Sequence, residues 1–169
     1  NFGAKNSDFI IKISSRKLMN AVFGTWYELD EAQSKALQRH MDKKSKMPEE
    51  VFYMEAEKIV GKPFKFLNLS HTSSDYEEAM AFPAIREAKE ELDLVLTELK
   101  ARGVTNVEYD ENIIRGFDYY TGTVFEVFDT DPTNNRSLFG GGRYDNLMSL
   151  FGGESLPAFG FGMGDVTIR

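Results

Sequence analysis

The strongest constraint on the fold is a change of residue pattern at Gly103. Before it, over residues 16–100, apolar side chains recur at the spacing of one helix face. After it, over residues 104–128, β-branched and aromatic residues predict two strands. The chain therefore combines a helical block with a β block, which is typical of an α+β fold.

Local signals set the expected boundaries of several elements before Gly103. Residues 8–14 read D-F-I-I-K-I-S and predict a strand. Pro48, followed by two glutamates, predicts a helix start, because proline is tolerated in a first turn and acidic side chains complement the helix dipole there. That helix is expected to end near Val60, a loop is expected over residues 70–75, and a long helix over 83–102.

The last part of the chain is rich in glycine. A strand over residues 137–139 is expected to lead through Gly140, Gly141 and Gly142 into a short helix over 143–150, and residues 157–163 predict a last strand. We therefore expect an antiparallel sheet with a helical subdomain inserted between its strands. The expected organisation is a core strand at 1–14, a helical insertion at 15–103, and the rest of the core at 104–169.

Composition excludes several classes of protein. The 169 residues carry a net charge of −7, which gives no general attraction to phosphate backbones. There is no cysteine, so neither a disulfide framework nor a thiolate metal site is expected. His40 and His71 lack neighbouring ligands, so we expect no protein metal site. No apolar run reaches bilayer length, which favours a soluble, cytoplasmic protein.

The most unusual segment is residues 113–126, I-I-R-G-F-D-Y-Y-T-G-T-V-F-E. Arg115 lies in an otherwise apolar stretch, where a charge is costly unless it is paired or faces a pocket. It could form a structural ion pair with Asp118 or contact a ligand, and residue types alone do not decide between them. Tyr119 and Tyr120 would point to opposite faces of a strand, so one could pack in the core while the other offers its hydroxyl to a ligand. The alternative is that both rings pack and both hydroxyls bond to the backbone.

Two further segments expose backbone. The stretch F-G-G-G-R-Y-D-N-L at 139–147 is expected to form a tight turn from a strand into a helix, where amide groups could meet an anion. The stretch G-F-G-M-G at 160–164 leaves one face of a strand without side chains, and either a flat ligand or a packed helix could lie there.

Three motifs together resemble the histidyl-tRNA synthetase family. They are R-G-F-D-Y-Y-T-G-T-V-F-E at 115–126, G-G-R-Y-D-N-L at 141–147 and P-A-F-G-F-G-M-G at 157–164. The first two are similar to the two histidine-specific motifs of that family, and the third to motif 3 of class II synthetases. The resemblance implies the class II catalytic core, present in part, with an inserted helical subdomain.

The resemblance also implies an activity and its partners. Histidine would attack the α-phosphorus of ATP, accompanied by Mg²⁺, and the histidyl group would pass to tRNA(His) in a homodimeric enzyme. Arg115 matches the catalytic arginine that bridges the histidine carboxylate and the α-phosphate. A planar, permanently charged guanidinium suits both anions.

The remaining matched positions form the expected binding site. Tyr120 and Tyr144 match the tyrosines that line the pocket for the imidazole ring. Gly160, Gly162 and Gly164 match the strand against which the adenosine of ATP lies. The family's adenine-stacking arginine has no counterpart at its usual position.

That departure concerns the end of the chain. Thr167 occupies the arginine position, and Arg169 lies two residues further on, where it could substitute if the stretch is a strand. Motifs 1 and 2 of the family would precede residue 1, and an anticodon-binding domain would follow residue 169. We therefore expect the 169-residue chain alone to have little or no activity.

A second hypothesis is the catalytically inactive, synthetase-like regulatory subunit of ATP phosphoribosyltransferase in histidine biosynthesis. It shares the fold and can retain Y-Y-T-G and G-G-R-Y-D. The intact R-G-F-D-Y-Y at 115–120 favours the synthetase, because a module that only binds does not need charge that stabilises a transition state. The departure at Thr167 keeps the second hypothesis open.

Overall fold

The computed structural model of the protein describes residues 3–113, 119–134 and 136–164. The chain forms two compact units. The helical unit comprises Lys17–Glu91, and the sheet unit comprises the chain up to Arg16 and from Leu92 onward. The helical unit lies within the range 15–103 expected for the insertion, and its interpretation as an insertion in a catalytic core stays a prediction.

The sheet unit is built on five strands within the described residues, in the order β2-β1-β3-β4-β5. They are β1 Phe9–Ser15, β2 Val107–Tyr109, β3 Thr123–Asp129, β4 Ser137–Tyr144 and β5 Ala158–Met163. All neighbouring strands are antiparallel except β1 and β2, which run parallel. A parallel pair needs a long crossover connection, and the helices between these strands supply it. The predicted α+β class is confirmed, with a mixed rather than purely antiparallel sheet.

The register divides the sheet into two chemically different faces. Side chains of directly paired residues lie on the same face. One row across the sheet contains Lys12, Glu126, Gly140 and Gly162, so this face ends in bare backbone on β4 and β5. The opposite face carries phenylalanines. Phe125 stacks on Phe159 with ring centroids 5.7 Å apart.

Five α-helices connect β1 to β2 in the described chain. They are α1 Arg16–Ala21, α2 Glu31–Met41, α3 Glu49–Val60, α4 Ser74–Ala79 and α5 Pro83–Ala101. A π-helical turn, Val22–Trp26, extends α1. Helix α5 confirms the long helix expected over 83–102, whereas α4 begins inside the range 70–75 expected to be a loop. Ser73 caps α4 by accepting a hydrogen bond from the Tyr76 amide, and this short cap explains the difference.

Capping residues fix the ends of α2 and α3. The Asp30 carboxylate accepts from the Gln33 amide at 2.8 Å, and the Gln33 side chain accepts from the Asp30 amide at 3.1 Å. This reciprocal arrangement is a capping box. Helix α3 begins after Pro48, as expected, and ends at Gly61, whose φ of 76° is left-handed and favours glycine.

The helical unit has its own core, in which α2 packs against α3. Among its described residues, the core side chains that are at most 3% exposed are Leu18, Phe23, Leu37, Phe52, Ala56, Ala79, Ile85 and Ala88. His40 on α2 stacks on Phe52 with centroids 4.7 Å apart, and its Nε2 atom lies 2.8 Å from the Phe52 carbonyl oxygen. His40 therefore has a structural position between two helices.

Two expectations, one about the glycine run in β4 and one about the tyrosines before β3, are wrong. The run Gly140–Gly142 does not turn into a helix. It lies within β4, where its small residues let β3 and β5 approach, and only a 3₁₀ turn, Met148–Phe151, follows. Tyr119 and Tyr120 do not occupy opposite faces of a strand, because they precede β3, and both rings contact Tyr144.

No helix among the described residues has the length and apolar character required to cross a membrane.

Candidate functional site

A cavity of about 390 Å³ opens on the glycine-bearing face of the sheet unit. It is lined by residues from the segment before β3, from the end of β4 and its following turn, and from β5. These residues are Tyr119, Tyr120, Tyr144, Leu147, Gly160, Phe161 and Gly162. Its volume falls within the range of about 300–1,000 Å³ that is typical of small-molecule sites.

Three tyrosine rings form one wall of the cavity. The Tyr119 and Tyr120 centroids lie 4.6 Å apart, and those of Tyr119 and Tyr144 lie 5.7 Å apart at a nearly perpendicular angle. Tyr120 is 6% exposed and packs with Ile113 and Val124. The wall therefore presents aromatic surface together with phenolic hydroxyl groups, which can both donate and accept hydrogen bonds.

Glycines make room for two of these rings. A Cβ atom on Gly142 would lie 2.9 Å from Cδ1 of Tyr120, and one on Gly160 would lie 2.9 Å from the hydroxyl oxygen of Tyr144. Neither ring could keep its position beside a larger residue. A Cβ atom on Gly162 would have no heavy atom within 4 Å, so this position faces open space. The bare strand thus leaves space that a flat ligand can use.

Charged groups lie farther along the same face. Lys12 on β1 is paired in register with Glu126, and its Nζ atom lies 2.8 Å from an Asp110 carboxylate oxygen and 3.6 Å from Glu108. The hydrogen bond to Asp110 raises the pKa of Lys12 against the opposing effect of burial. Burial alone would raise the pKa of Asp110, but hydrogen bonds from Lys12 and Asn112 outweigh it and lower that pKa. This pair therefore remains ionised at neutral pH.

The structure brings four of the predicted site residues together: Tyr120, Tyr144, Gly160 and Gly162 line one cavity. Gly164 follows the end of β5 and is not among the lining residues. Arg115, the predicted catalytic residue, lies outside the described residues. So do Asp118, Thr167 and Arg169.

Sequence reasoning missed three lining residues. Tyr119 was expected to point to the strand face opposite Tyr120, yet both residues line the cavity. Leu147 and Phe161 lie inside the quoted motifs but carry no chemistry that distinguishes a lining residue from a packing residue. Only their positions next to Tyr144 and the glycine strand could have suggested a role.

No three histidine or acidic side chains are close enough to hold a metal ion in the part of the chain that the structure describes. The expectation that the protein itself supplies no metal site stays a prediction.

Comparison with known proteins agrees with the arrangement of the motifs. The sequence profile of the family described as histidyl-tRNA synthetase matches residues 3–166. A histidine–tRNA ligase from Leptospira biflexa is 36% identical over 99% of this chain. The chain spans 39% of that relative's length.

Solved structures share the fold. A histidyl-tRNA synthetase from a Nostoc species matches 97% of this chain and 42% of its own, with a TM-score of 0.80 and 27% identity. A Bacillus halodurans protein described as an ATP phosphoribosyltransferase regulatory subunit/histidyl-tRNA synthetase matches 96% of this chain and 44% of its own, with a TM-score of 0.71. Its 24% identity supports the fold alone.

The family profile covers nearly the whole chain, the Leptospira relative aligns along 99% of it, and the cavity is lined by residues of all three motifs. The chain therefore belongs to the histidyl-tRNA synthetase family.

Proposed function

We propose that the full-length parent of this chain is a histidine–tRNA ligase. It activates L-histidine with ATP and transfers the histidyl group to tRNA(His). The observation that carries this proposal is the cavity in which the tyrosines of both histidine-specific motifs meet the glycine strand of motif 3. Family membership and this clustering support the same assignment.

The tyrosine wall suits an imidazole ring. Tyr120 and Tyr144 offer aromatic surface to a flat, partly apolar ring, and phenolic hydroxyls can match the donor and acceptor nitrogens of a neutral imidazole. Tyr119 contributes a third ring, which contacts both of the others. We propose that these three side chains bind the histidine side chain and select it over aliphatic amino acids.

The glycine strand suits ATP. Gly160 and Gly162 leave a floor of bare backbone, on which the adenosine could lie without meeting side chains. Gly164 would extend this floor. Mg²⁺ would accompany the phosphates as part of the nucleotide substrate. Arg115 is proposed to bridge the histidine carboxylate and the α-phosphate, where a bidentate guanidinium stabilises the charge that builds up on phosphorus.

The proposed partners follow from the family. We propose that the parent binds tRNA(His), forms a homodimer, and acts in the cytoplasm. These assignments concern the whole protein, of which this chain represents about two fifths of a relative's length.

The test is ATP–pyrophosphate exchange that depends on L-histidine, measured on the full-length parent. Arg115→Ala should lower kcat by about a hundredfold or more, because preorganised charge at the reacting phosphate is lost. Arg102→Ala is the matched control. The Arg102 side chain lies just after the end of α5, is 77% exposed and pairs with Glu98 at 3.5 Å, so its loss should leave exchange unchanged.

The same assay separates the two hypotheses. No exchange despite retained histidine binding would contradict the ligase and favour the regulatory subunit of ATP phosphoribosyltransferase. Equal loss of exchange in both arginine variants would contradict the role given to Arg115.

A further inference from the structure

Tyr120 and Tyr144, which come from different motifs, are each followed in the chain by a residue that hydrogen-bonds to the other segment. Thr121 follows Tyr120, and Asp145 follows Tyr144. The Thr121 hydroxyl donates to the Asp145 carboxylate at 2.8 Å and accepts from the Asp145 backbone amide at 3.1 Å. One side chain is thus used twice to join two segments, and we refer to this pair as the Thr121–Asp145 clamp.

Arg143 extends the clamp on the other side. Its Nε atom donates to the Asp145 carboxylate at 3.0 Å, and its backbone carbonyl accepts from the Thr121 amide at 3.0 Å. Its aliphatic stem packs against Gly122, where a Cβ atom would lie 3.0 Å from Cδ of Arg143. The end of β4 therefore contacts the segment before β3 through side chains and backbone together.

The two clamp residues are chain neighbours of two tyrosines that line the cavity. Residues 119–122 precede β3 and are not part of a strand ladder, so regular pairing does not fix the Tyr119 and Tyr120 rings. Neither Thr121 nor Asp145 lines the cavity, so any influence on a ligand must pass through the neighbouring tyrosines.

We propose that Thr121 and Asp145 are positioning residues that set the separation between the Tyr120 and Tyr144 rings and thereby the affinity for the amino acid. The identity of that amino acid as histidine rests on the function proposed above. A pocket held in its binding geometry before the ligand arrives loses less free energy to ordering, so loosening the clamp weakens binding. Gly160 and Gly162 of the proposed nucleotide floor pair with Gly142 and Gly140 of β4 rather than with the clamp residues, so we expect ATP binding to respond little to its loss.

The experiment measures the Kd values of L-histidine and ATP separately by titration calorimetry on the full-length parent. Thr121→Val keeps the shape of the side chain but removes the hydroxyl and with it both hydrogen bonds to Asp145, and should raise the Kd of histidine about tenfold. The Kd of ATP should stay within about twofold. Thr121→Ser restores the hydroxyl and should recover most of the histidine affinity.

A matched control exists in the same unit. Thr133 donates to the Asp131 carboxylate at 2.7 Å in the turn between β3 and β4, and it does not line the cavity. Thr133→Val removes the same kind of bond and should leave both Kd values unchanged. If Thr121→Val does not fold, Asp145→Asn serves instead and should raise the Kd of histidine in the same direction.

Each outcome decides something. A histidine Kd unchanged in Thr121→Val, a rise not recovered by Thr121→Ser, or an equal rise in the Kd of ATP would overturn the positioning role. The proposed ligase function is tested independently by exchange. If the parent binds histidine but shows no exchange, the Kd values still test the positioning role of Thr121 and Asp145. If the parent binds no histidine, the proposed positioning role is wrong.

Discussion

The molecule contains two aromatic clusters that use their rings differently. In the helical unit, Phe52 is fully buried and stacks on Phe66 with centroids 5.9 Å apart, while Phe64 packs edge-on against both. In the sheet unit, Tyr119, Tyr120 and Tyr144 lie at similar centroid distances but surround a cavity. Similar ring spacing thus gives a closed core in one region and an open pocket in the other.

The difference comes from the neighbours of the rings. Around Phe52 the surrounding positions are filled by apolar side chains and by Lys44, whose Nζ atom lies 4.1 Å from the centroid of Phe66. Beside Tyr144, Gly160 provides no side chain and the ring packs against its backbone, while open space remains at Gly162, where a Cβ atom would have no heavy atom within 4 Å. An aromatic cluster becomes a pocket where glycines replace the side chains that would otherwise complete its packing.

The largest expected effect comes from truncating the closed cluster. Phe52→Ala should lower the free energy of unfolding by about 3–5 kcal/mol, through lost burial and the cavity left behind. Trp26 is the single tryptophan and lies in the helical unit against Phe82, so its fluorescence during urea denaturation reports this loss. Met54→Ala, at a 49% exposed position on the same helix, is the control and should cost less than about 1 kcal/mol. Equal losses would mean that the Phe52 cluster is not a closed core.

The open cluster should respond to added rather than removed atoms. In Gly160→Ala the new Cβ would displace the Tyr144 ring, and the Kd of the full-length parent for L-histidine should rise about tenfold. Gly162→Ala is the steric control for stability, because its Cβ meets open space and the free energy of unfolding should change by less than about 0.5 kcal/mol. A Gly160→Ala variant with the original histidine affinity would show that Tyr144 has no fixed place at the site.

The smallest expected effect concerns the charged part of the cavity face. Asp110→Asn should lower the stability of the sheet unit by about 1 kcal/mol at pH 7, because Lys12 loses a close, partly buried carboxylate. The pKa of Asp110 is lowered on folding, so its contribution is complete above the unfolded value of about 3.8 and is lost as pH falls through the folded value. The pKa of Lys12 is raised, so the Lys12 contribution is lost only as pH rises above about 10.5.

Hydrogen exchange of the β1 and β3 amides, compared between pH 7 and acid, measures this effect. The difference between Asp110→Asn and the unsubstituted chain should shrink as the pH approaches the folded-state pKa of Asp110. A difference that stays constant with pH would mean that the carboxylate charge is not what stabilises the pair.

Element types were predictable where one local signal dominated. The apolar run at 8–14 and the helical spacing of apolar residues over 83–102 predicted β1 and α5 to within a residue or two. In both cases the residue periodicity and the residue type at one end, serine for β1 and proline for α5, indicate the same boundary. The run Gly140–Gly142 was wrongly predicted to be a turn, because glycine weakens the local signal of a strand. Pairing of β4 with β3 and β5 is what holds this run in a strand. Tertiary pairing between distant segments is invisible to a local reading.

The site was predictable as a set of residues but not as an arrangement. Tyr120, Tyr144, Gly160 and Gly162 came from motifs, and the structure brings them to one cavity. The contribution of Tyr119 to the cavity could not be predicted from the sequence, because residues 119–122 precede β3 and do not follow the alternation of a strand. The Thr121–Asp145 clamp was equally hidden, since its two members are 24 residues apart.

The placement of the helices between β1 and β2 has a consequence for how the chain acquires its structure. Ile11 on β1 pairs with Val107 and Val127, so β1 cannot complete its hydrogen bonds until the ribosome has made the whole helical unit. Residues 17–91 are contiguous and can fold from nearer contacts, whereas distant strand pairing forms slowly. We expect helices first, the sheet next and the cavity last, with the apolar β1 needing protection from aggregation during synthesis.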